Sequence, residues 1–448
     1  MRRSLRPHQL DAFRYCRQQQ HPALFMEMRL GKTLVVIRRL QLLSPERVLI
    51  VAPHSALGSW EKELAAESEP APAWLTGKRS DRRKALKSGA RWNLLNKEGW
   101  RWIPEVALEQ WDAVVLDEST FVKNPQARVT KFYLKNFRSA RRFALTGTPD
   151  PEGVKDLFCQ MAWLDGGAFG FRDYWGWRSV KFEPSMLGDG WEPKPGTESE
   201  VRRALAKRAF LLRRQDAGLG ERWVMETRWL DLPPKLRKAY DTLEREFIVE
   251  WDGSVKKETV FAGARYAWAR QMCGGFLDGE QVWKGREDDL VELLTGELAQ
   301  DPVVVWFTFN RELDAVAARL QTAHVSHAWM KGATKQTDRR RIFDAFQSGE
   351  IRVLLLQVAV AQFGVDLSRA DAEVYFSAPC GYLLRRQSRD RIVNVAQKRP
   401  LLCIDYAVRN TVDQDLHAAT HDKRVRSERT FREVLRLQMK GRLELSNV

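Results

Sequence analysis

The sequence predicts an α/β protein made of two parallel-sheet lobes in tandem, with helical insertions between them. Three observations predict it. Short apolar runs alternate with helix-compatible segments over the first 150 residues, and the same alternation returns after Pro302. Between these regions lies a stretch rich in Trp, Gly and basic residues that lacks it. Strands that alternate with helices build parallel sheets covered on both faces, and their carboxyl ends are where ligands bind. At 448 residues the chain exceeds one ordinary core, and 44% hydrophobic with 29% charged residues is a globular rather than a disordered composition.

In the first region the strand candidates are Ala23-Leu24-Phe25-Met26, Val48-Leu49-Ile50-Val51, Val114-Val115-Leu116 and Phe143-Ala144-Leu145. Helix candidates lie at Lys32–Leu43, Ser59–Ala66 and Ala127–Phe137. Helical periodicity in the middle covers Glu200–Leu212 and Lys235–Glu250. In the last region the strands are Val303–Phe307, Val353–Leu356, Val374–Phe376 and Leu401–Ile404, with helices at Asn310–Leu320, Gln336–Phe346 and Tyr382–Ile392. One lobe is therefore expected in residues 1–225, with a helical insertion at about 151–210. The second is expected in 226–448, with a helical insertion at about 234–300 and a C-terminal helix.

Several classes are set aside. No apolar run approaches the roughly 18 to 20 residues of a bilayer span, and no apolar stretch follows the basic start Met1–Pro7, so no membrane partner and no secretory signal are expected. The five cysteines (Cys16, Cys159, Cys273, Cys380, Cys403) are scattered without a C-x-x-C pair, which fits thiols in a reducing cytoplasm. Lys plus Arg outnumber Asp plus Glu by 74 to 58, a net +16 that favours a polyanionic partner through counterion release. The excess concentrates in Lys78–Arg91, Arg202–Arg214 and the stretch from Asp422 onward, any one of which alone reads as a solvated helix face.

The strongest local signal is Leu30-Gly31-Lys32-Thr33, placed after a strand and opening a helix. Such a loop aims backbone N–H groups and the positive end of a helix at an anion. Lys32 would reach the β- and γ-phosphates of a nucleotide and the Thr33 hydroxyl would bind Mg²⁺, while Arg29 stands where the usual first glycine is expected. The second signal is Asp117-Glu118 at the end of an apolar strand, where a carboxylate needs a partner and Mg²⁺ is a natural one. Asp117 would hold the metal, and Glu118 would orient and deprotonate the attacking water.

With these residues in view, the sequence resembles a superfamily-two helicase or translocase, specifically the Swi/Snf-like branch, which implies two RecA-like lobes. Leu5-Arg6-Pro7-His8-Gln9 resembles the family's adenine-reading motif, with Gln9 as the adenine contact. Glu27–Thr33, containing Arg29, Leu30 and Gly31, is similar to its phosphate loop. Leu49–Pro53, followed by Trp60 and Glu63, resembles a motif that implies track contacts at Pro53 and near Ser55. Asp117-Glu118-Ser119-Thr120, with Lys123-Asn124, resembles the acidic motif. Leu145-Thr146-Gly147-Thr148-Pro149 resembles the motif that couples hydrolysis to the track, and Leu211-Leu212-Arg213-Arg214 is similar to the arginine pair closing the first lobe. In the second lobe Gly332, Arg339 and Phe346 repeat a family spacing, and Gly364-Val365-Asp366-Leu367 resembles the fifth motif, with Gly364 and Asp366 expected at the nucleotide. Gln387, Arg391 and Gln397-Lys398-Arg399-Pro400 resemble the sixth, and Thr411-Val412-Asp413 with Lys423 resembles the branch's closing helix.

The resemblance implies an ATP-dependent motor, with ATP and Mg²⁺ clamped between lobes and double-stranded DNA as the track. A strand-separating DNA or RNA helicase is the alternative. A third possibility is a non-catalytic, ATP-gated clamp, motivated by Asn394, which falls where the sixth motif normally carries its second arginine. Either Arg391 serves alone, or Arg389 or Arg386 substitutes, or turnover is slow. The motifs fill the chain from Leu5 to about Lys423, which by analogy implies a bacterial or phage protein acting as a monomer, in the bacterial or host cytoplasm, with a replication or recombination protein as a further partner. The pairs His324/His327 and His417/His421 read as ordinary histidines. Trp175, Trp177 and Trp191 read as buried anchors rather than base-stacking platforms.

Overall fold

A computed structural model describes residues 3–151, 153–184, 190–219, 223–246, 248–251, 254–258, 262–362, 366–379, 382–393 and 400–421. The chain divides into two compact units at Gly220/Glu221.

In the first unit the strands are β1 (Ala23–Met26), β2 (Val48–Ala52), β3 (Ala73–Trp74), β4 (Trp92–Asn96), β5 (Ala113–Asp117), β6 (Arg141–Thr146), a small hairpin of β7 (Phe182–Pro184) and β8 (Trp191–Pro193), and β9 (Ala209–Leu212). All but the hairpin join one parallel sheet in the order β3-β4-β2-β5-β6-β1-β9. The helices are α1 (Pro7–Gln18), α2 (Lys32–Leu43), α3 (His54–Ala66), α4 (Arg79–Leu86), α5 (Arg128–Lys135), α6 (Leu157–Asp165), α7 (Tyr174–Lys181) and α8 (Thr197–Arg208). The central strands are apolar on both sides because both sheet faces are covered. Phe25, Val51, Leu116 and Ala144 join one core, while their chain neighbours Leu24, Ile50, Val115 and Leu145 join the other. Burying a large apolar side chain contributes about 1.5–3 kcal/mol, so each of these strands is held from two sides.

The second unit repeats this plan. Its strands are β10 (Trp223–Leu230), the hairpins β11 (Ile248–Trp251) with β12 (Ser254–Glu258) and β13 (Phe276–Leu277) with β14 (Glu280–Gln281), then β15 (Val303–Phe307), β16 (His327–Met330), β17 (Val353–Gln357), β18 (Ala372–Tyr375) and β19 (Leu401–Val408). The sheet runs β10-β19-β18-β15-β17-β16, and its described ladders are parallel. Helices α9 (Pro234–Glu246), α10 (Ala262–Cys273), α11 (Gly285–Thr295), α12 (Asn310–Thr322), α13 (Gln336–Ser348) and α14 (Tyr382–Ile392) complete it. Helices α9 and α10 form a satellite core of their own through Leu236, Tyr240, Leu243, Met272 and Cys273.

The structure corrects the sequence expectations in four places. A boundary after residue 225 would cut β10, which lies whole in the second unit. Helical periodicity over Glu200–Leu212 runs four residues too far, because α8 stops at Arg208 and the apolar Ala209–Leu212 becomes the edge strand β9. That over Lys235–Glu250 likewise overruns α9 into β11. The middle region is helical with β-hairpins rather than helical throughout. Of its tryptophans, Trp177 is fully buried, whereas Trp175 is 44% exposed with the Arg178 guanidinium over its ring at 4.8 Å and over Trp191 at 4.1 Å. Among the described residues, no helix is long and apolar enough to cross a membrane.

Candidate nucleotide site

Strand β1 lies between β6 and β9, and the chain leaves its carboxyl end through Glu27-Met28-Arg29-Leu30-Gly31 into α2. Two left-handed residues, Arg29 (φ 64°) and Gly31 (φ 77°), turn the loop back over the sheet. Left-handed backbone is easy for glycine and costly for arginine. Helix α2 closes its first internal bond with the Val35 N–H on the Gly31 carbonyl (3.2 Å), so the N–H groups ahead of it face out of the helix start, as an anion cradle requires. Lys32 Nζ donates to the Met26 carbonyl (2.7 Å) and the Glu27 carbonyl (3.4 Å) at the base of the loop.

Gln9 lies against this loop, in the first turn of α1. Its Nε2 donates to the Leu30 carbonyl (3.2 Å) and its Oε1 accepts from the Arg6 N–H (2.9 Å). The Gln9 amide therefore braces the phosphate loop, in addition to any contact with a base. His8 Nε2 donates to the same carbonyl at 3.2 Å, and burial of the ring pushes its pKa down. The loop's other end is held by Arg214, whose N–H donates to Glu27 Oε2 (2.8 Å), while the Glu27 N–H donates to the Leu212 carbonyl (2.9 Å).

The acidic motif arrives on β5, two strands from β1. Asp117 ends the strand at 9% exposure, and its Oδ2 accepts from the Trp60 indole Nε1 (2.8 Å) while Oδ1 accepts from the Glu118 N–H (3.1 Å). Glu118 is left-handed (φ 53°), which turns its side chain away from the strand line, and its Oε2 accepts from Thr146 Oγ1 at 3.3 Å. Strand β6 separates β5 from β1 and carries that threonine at its carboxyl end; Thr146 Oγ1 in turn accepts from the Thr148 N–H (3.1 Å). Gly147 passes close to the phosphate loop: a Cβ there would sit 3.4–3.5 Å from Met28 N, Glu27 Cα and the Met26 carbonyl. Lys32, Asp117, Glu118, Thr146 and Gly147 are thus brought to the carboxyl ends of three adjacent strands. The Asp117 carboxylate and the Thr33 hydroxyl are a hard, all-oxygen donor set of the kind that suits Mg²⁺.

Sequence reasoning missed Trp60 as an Asp117 partner and missed Gln160 entirely. Gln160, on α6, accepts from Ser119 Oγ (2.8 Å) and donates to the Pro149 carbonyl (2.6 Å), pinning the acidic and coupling motifs together; Lys123 Nζ pairs with Asp156 at 3.1 Å beside it. Local spacing carries no signal for such long-range contacts. Pro53 caps α3, accepting from the Ala56 N–H (2.8 Å), and Ser55 lies in that helix's first turn.

In the second unit Arg391 sits in the last turn of α14, its carbonyl accepting from the Leu367 N–H (3.0 Å). Arg389 pairs with the buried Glu373 (3.5 Å) and lies over the Trp223 ring at 4.3 Å, and Arg386 pairs with Asp390 (3.5 Å). Asp366 is exposed, its Oδ1 accepting from the Ser368 N–H at 3.0 Å. Gly364, Asn394, Gln397-Lys398-Arg399 and Lys423 lie outside the described residues.

The profile of the SNF2-related domain matches residues 8–273, and that of the helicase conserved C-terminal domain matches residues 285–395. The chain belongs to the SNF2-related family. As an SNF2-type ATPase core it is 24% identical to the chromatin structure-remodeling complex protein SYD of Arabidopsis thaliana, over 89% of this chain and 12% of that protein. It is 24% identical to protein p41 of Acyrthosiphon pisum secondary endosymbiont phage 1, over 74% of each chain. An uncharacterized ATP-dependent helicase of Mycoplasma genitalium is 22% identical over 90% of this chain and 40% of the relative. This SNF2-type chain spans 12% and 23% of the length of two plant SWI/SNF-type relatives. The Pyrococcus furiosus Hef helicase domain shares its fold, with a TM-score of 0.53 at 15% identity over 93% of this chain and 98% of that one.

Proposed function

We propose that this chain hydrolyses ATP to move along nucleic acid, with double-stranded DNA as its track and without separating the strands. The observation that supports this best is the hydrogen bond from Thr146 Oγ1 to Glu118 Oε2, made where the phosphate loop and the acidic motif converge. It ties the carboxylate suited to activating water to the segment expected to sense the track. Family membership, the relatives named for chromatin remodelling and the net charge of +16 add to it.

In this proposal the N–H groups opening α2 cradle the phosphates, and Lys32 exchanges the Met26 and Glu27 carbonyls for phosphate oxygens, a stronger charge-assisted partner. Arg29, Leu30 and Gly31 shape that cradle, and Gln9 serves the adenine from the loop's edge. Thr33 and Asp117 hold Mg²⁺, which when bound neutralises charge building on the phosphates. Glu118 orients the attacking water and takes its proton. Arg391 supplies positive charge to the leaving phosphates, with Gly364 and Asp366 as further second-unit contacts. Pro53 and Ser55 meet the track, and Thr146-Gly147-Thr148 pass its occupancy to Glu118.

The proposed setting is a bacterial cytoplasm, or the host's for a phage-encoded chain, with the protein acting as a monomer recruited by a replication or recombination partner. The likeness to a phage protein supports that setting. ATP turnover measured side by side with duplex, single-stranded and forked DNA and with RNA tests the proposal. Duplex DNA is expected to stimulate most, with triplex displacement but no fork unwinding. Turnover that no nucleic acid raises would overturn it, and fork unwinding would replace translocation with strand separation.

A further inference from the structure

Trp60 lies in the middle of α3 and is 1% exposed, packed in the core under the sheet face that carries Leu24, Ile50 and Val115. Nothing about apolar packing requires its indole N–H to point at a carboxylate, yet Nε1 donates to Asp117 Oδ2 at 2.8 Å. With the Glu118 N–H on Oδ1 at 3.1 Å, both oxygens of Asp117 are held by donors and the rotation of the carboxylate is set. An indole is well suited to fixing a carboxylate, being rigid, with two side-chain torsions, one donor and no acceptor. Helix α3 opens at Pro53, His54 and Ser55. About one and a half turns later, the same rod grips Asp117.

We infer that Trp60 is a positioning residue for the metal-holding carboxylate, linking α3 to Asp117 through a single hydrogen bond. This rests on the proposed role of Asp117 toward Mg²⁺. Partners that orient a metal's ligands are worth about 10- to 100-fold in metal affinity. A displacement of α3 at its Ser55 end would be transmitted to the Asp117 oxygens through a stiff helix and a stiff ring.

The test is calorimetric binding of ADP across a MgCl₂ series, which needs no turnover. The wild type is compared with Trp60→Phe, which removes the donor, Trp60→His, which keeps a ring N–H, and Leu64→Ala, which damages the same buried helix without touching Asp117. Trp60→Phe should need about tenfold more Mg²⁺ for half-maximal ADP binding, Trp60→His less than that, and Leu64→Ala the wild-type amount. Equal Mg²⁺ dependence in Trp60→Phe and wild type would overturn the inference. So would an equal shift in Trp60→Phe and Trp60→His, or in Leu64→Ala, since packing would then account for it. A wild type whose ADP binding ignores Mg²⁺ would instead overturn the proposed metal role of Asp117 itself.

Discussion

Replacing Gly31 by alanine is a sharp test of how the phosphate loop is held. At φ 77° the backbone is left-handed, which costs a residue with a Cβ about 1–2 kcal/mol. The new Cβ would also lie 2.1 Å from Gln9 Nε2 and 3.3 Å from its Cδ, so the Gln9 amide must move. Moving it breaks the bonds to the Leu30 carbonyl (3.2 Å) and from the Arg6 N–H (2.9 Å), in a side chain only 7% exposed. Each such bond contributes about 0.5–1.5 kcal/mol, so Gly31→Ala should cost the first unit about 2–5 kcal/mol. In a Gln9→Ala background only the backbone cost remains, and the coupling between the two sites should be about 1–3 kcal/mol. The assay is urea unfolding of wild type, both single variants and the double variant, with the first unit's transition identified by hydrogen exchange in α1 and α2. A Gly31→Ala cost below about 0.5 kcal/mol, the scale of an ordinary surface change, would refute the reasoning. So would a cost that stays the same when Gln9 is removed.

Other consequences are as direct. Glu118→Gln should lower ATP turnover about 10²- to 10⁴-fold, the range for a lost general base, while ADP affinity measured by calorimetry stays within about twofold. Thr146→Ala should leave ADP affinity intact and shrink the ratio of DNA-stimulated to basal turnover, measured in a coupled ATPase assay. Burial pushes the Glu312 carboxyl up to about 7. Its folded-state pKa therefore exceeds the unfolded value, and the stability it lends is complete below about pH 4.3 and is lost as pH rises through 7. Glu312→Gln should flatten that part of the second unit's stability profile, and an unchanged slope in urea unfolding between pH 5 and 8 would refute the assignment. Arg286→Ala leaves the buried Asp413 without its guanidinium partner and should cost the second unit about 3–5 kcal/mol, read from the same unfolding curves.

What was legible in the sequence is what local chemistry dictates. Ala23–Met26, Val303–Phe307, Lys32–Leu43 and Tyr382–Ile392 coincide with β1, β15, α2 and α14, because apolar runs and helical spacing are written in neighbouring residues. Strand β4 escaped notice because Trp92-Asn93-Leu94-Leu95-Asn96 carries a buried asparagine, whose Nδ2 is satisfied by the Ala90 carbonyl at 2.7 Å. Strand β16 escaped because His327-Ala328-Trp329-Met330 lies at a sheet edge with Trp329 45% exposed. The phosphate loop and acidic motif were legible as types of residue at known offsets. The Gln9 brace on the phosphate loop, the Gln160 bridge and the Trp60 tether were not, since each joins residues that only the folded sheet brings together. No propensity encodes a contact across such a span.

The position of β9 has a consequence for the order in which the molecule can be made. The phosphate loop starts on β1, near the beginning of the chain, but Glu27 is fixed by Leu212 and Arg214, and β9 is the last strand of this unit's sheet that a ribosome adds. Until then β1 is an open edge of four apolar residues, able to pair with any strand that meets it. Nascent chains halted before Leu212 should therefore aggregate readily and bind ADP poorly, and those that include Arg214 should do neither. Measured across such truncations, ADP affinity should rise at the point where synthesis passes β9, the last strand of this sheet in the chain.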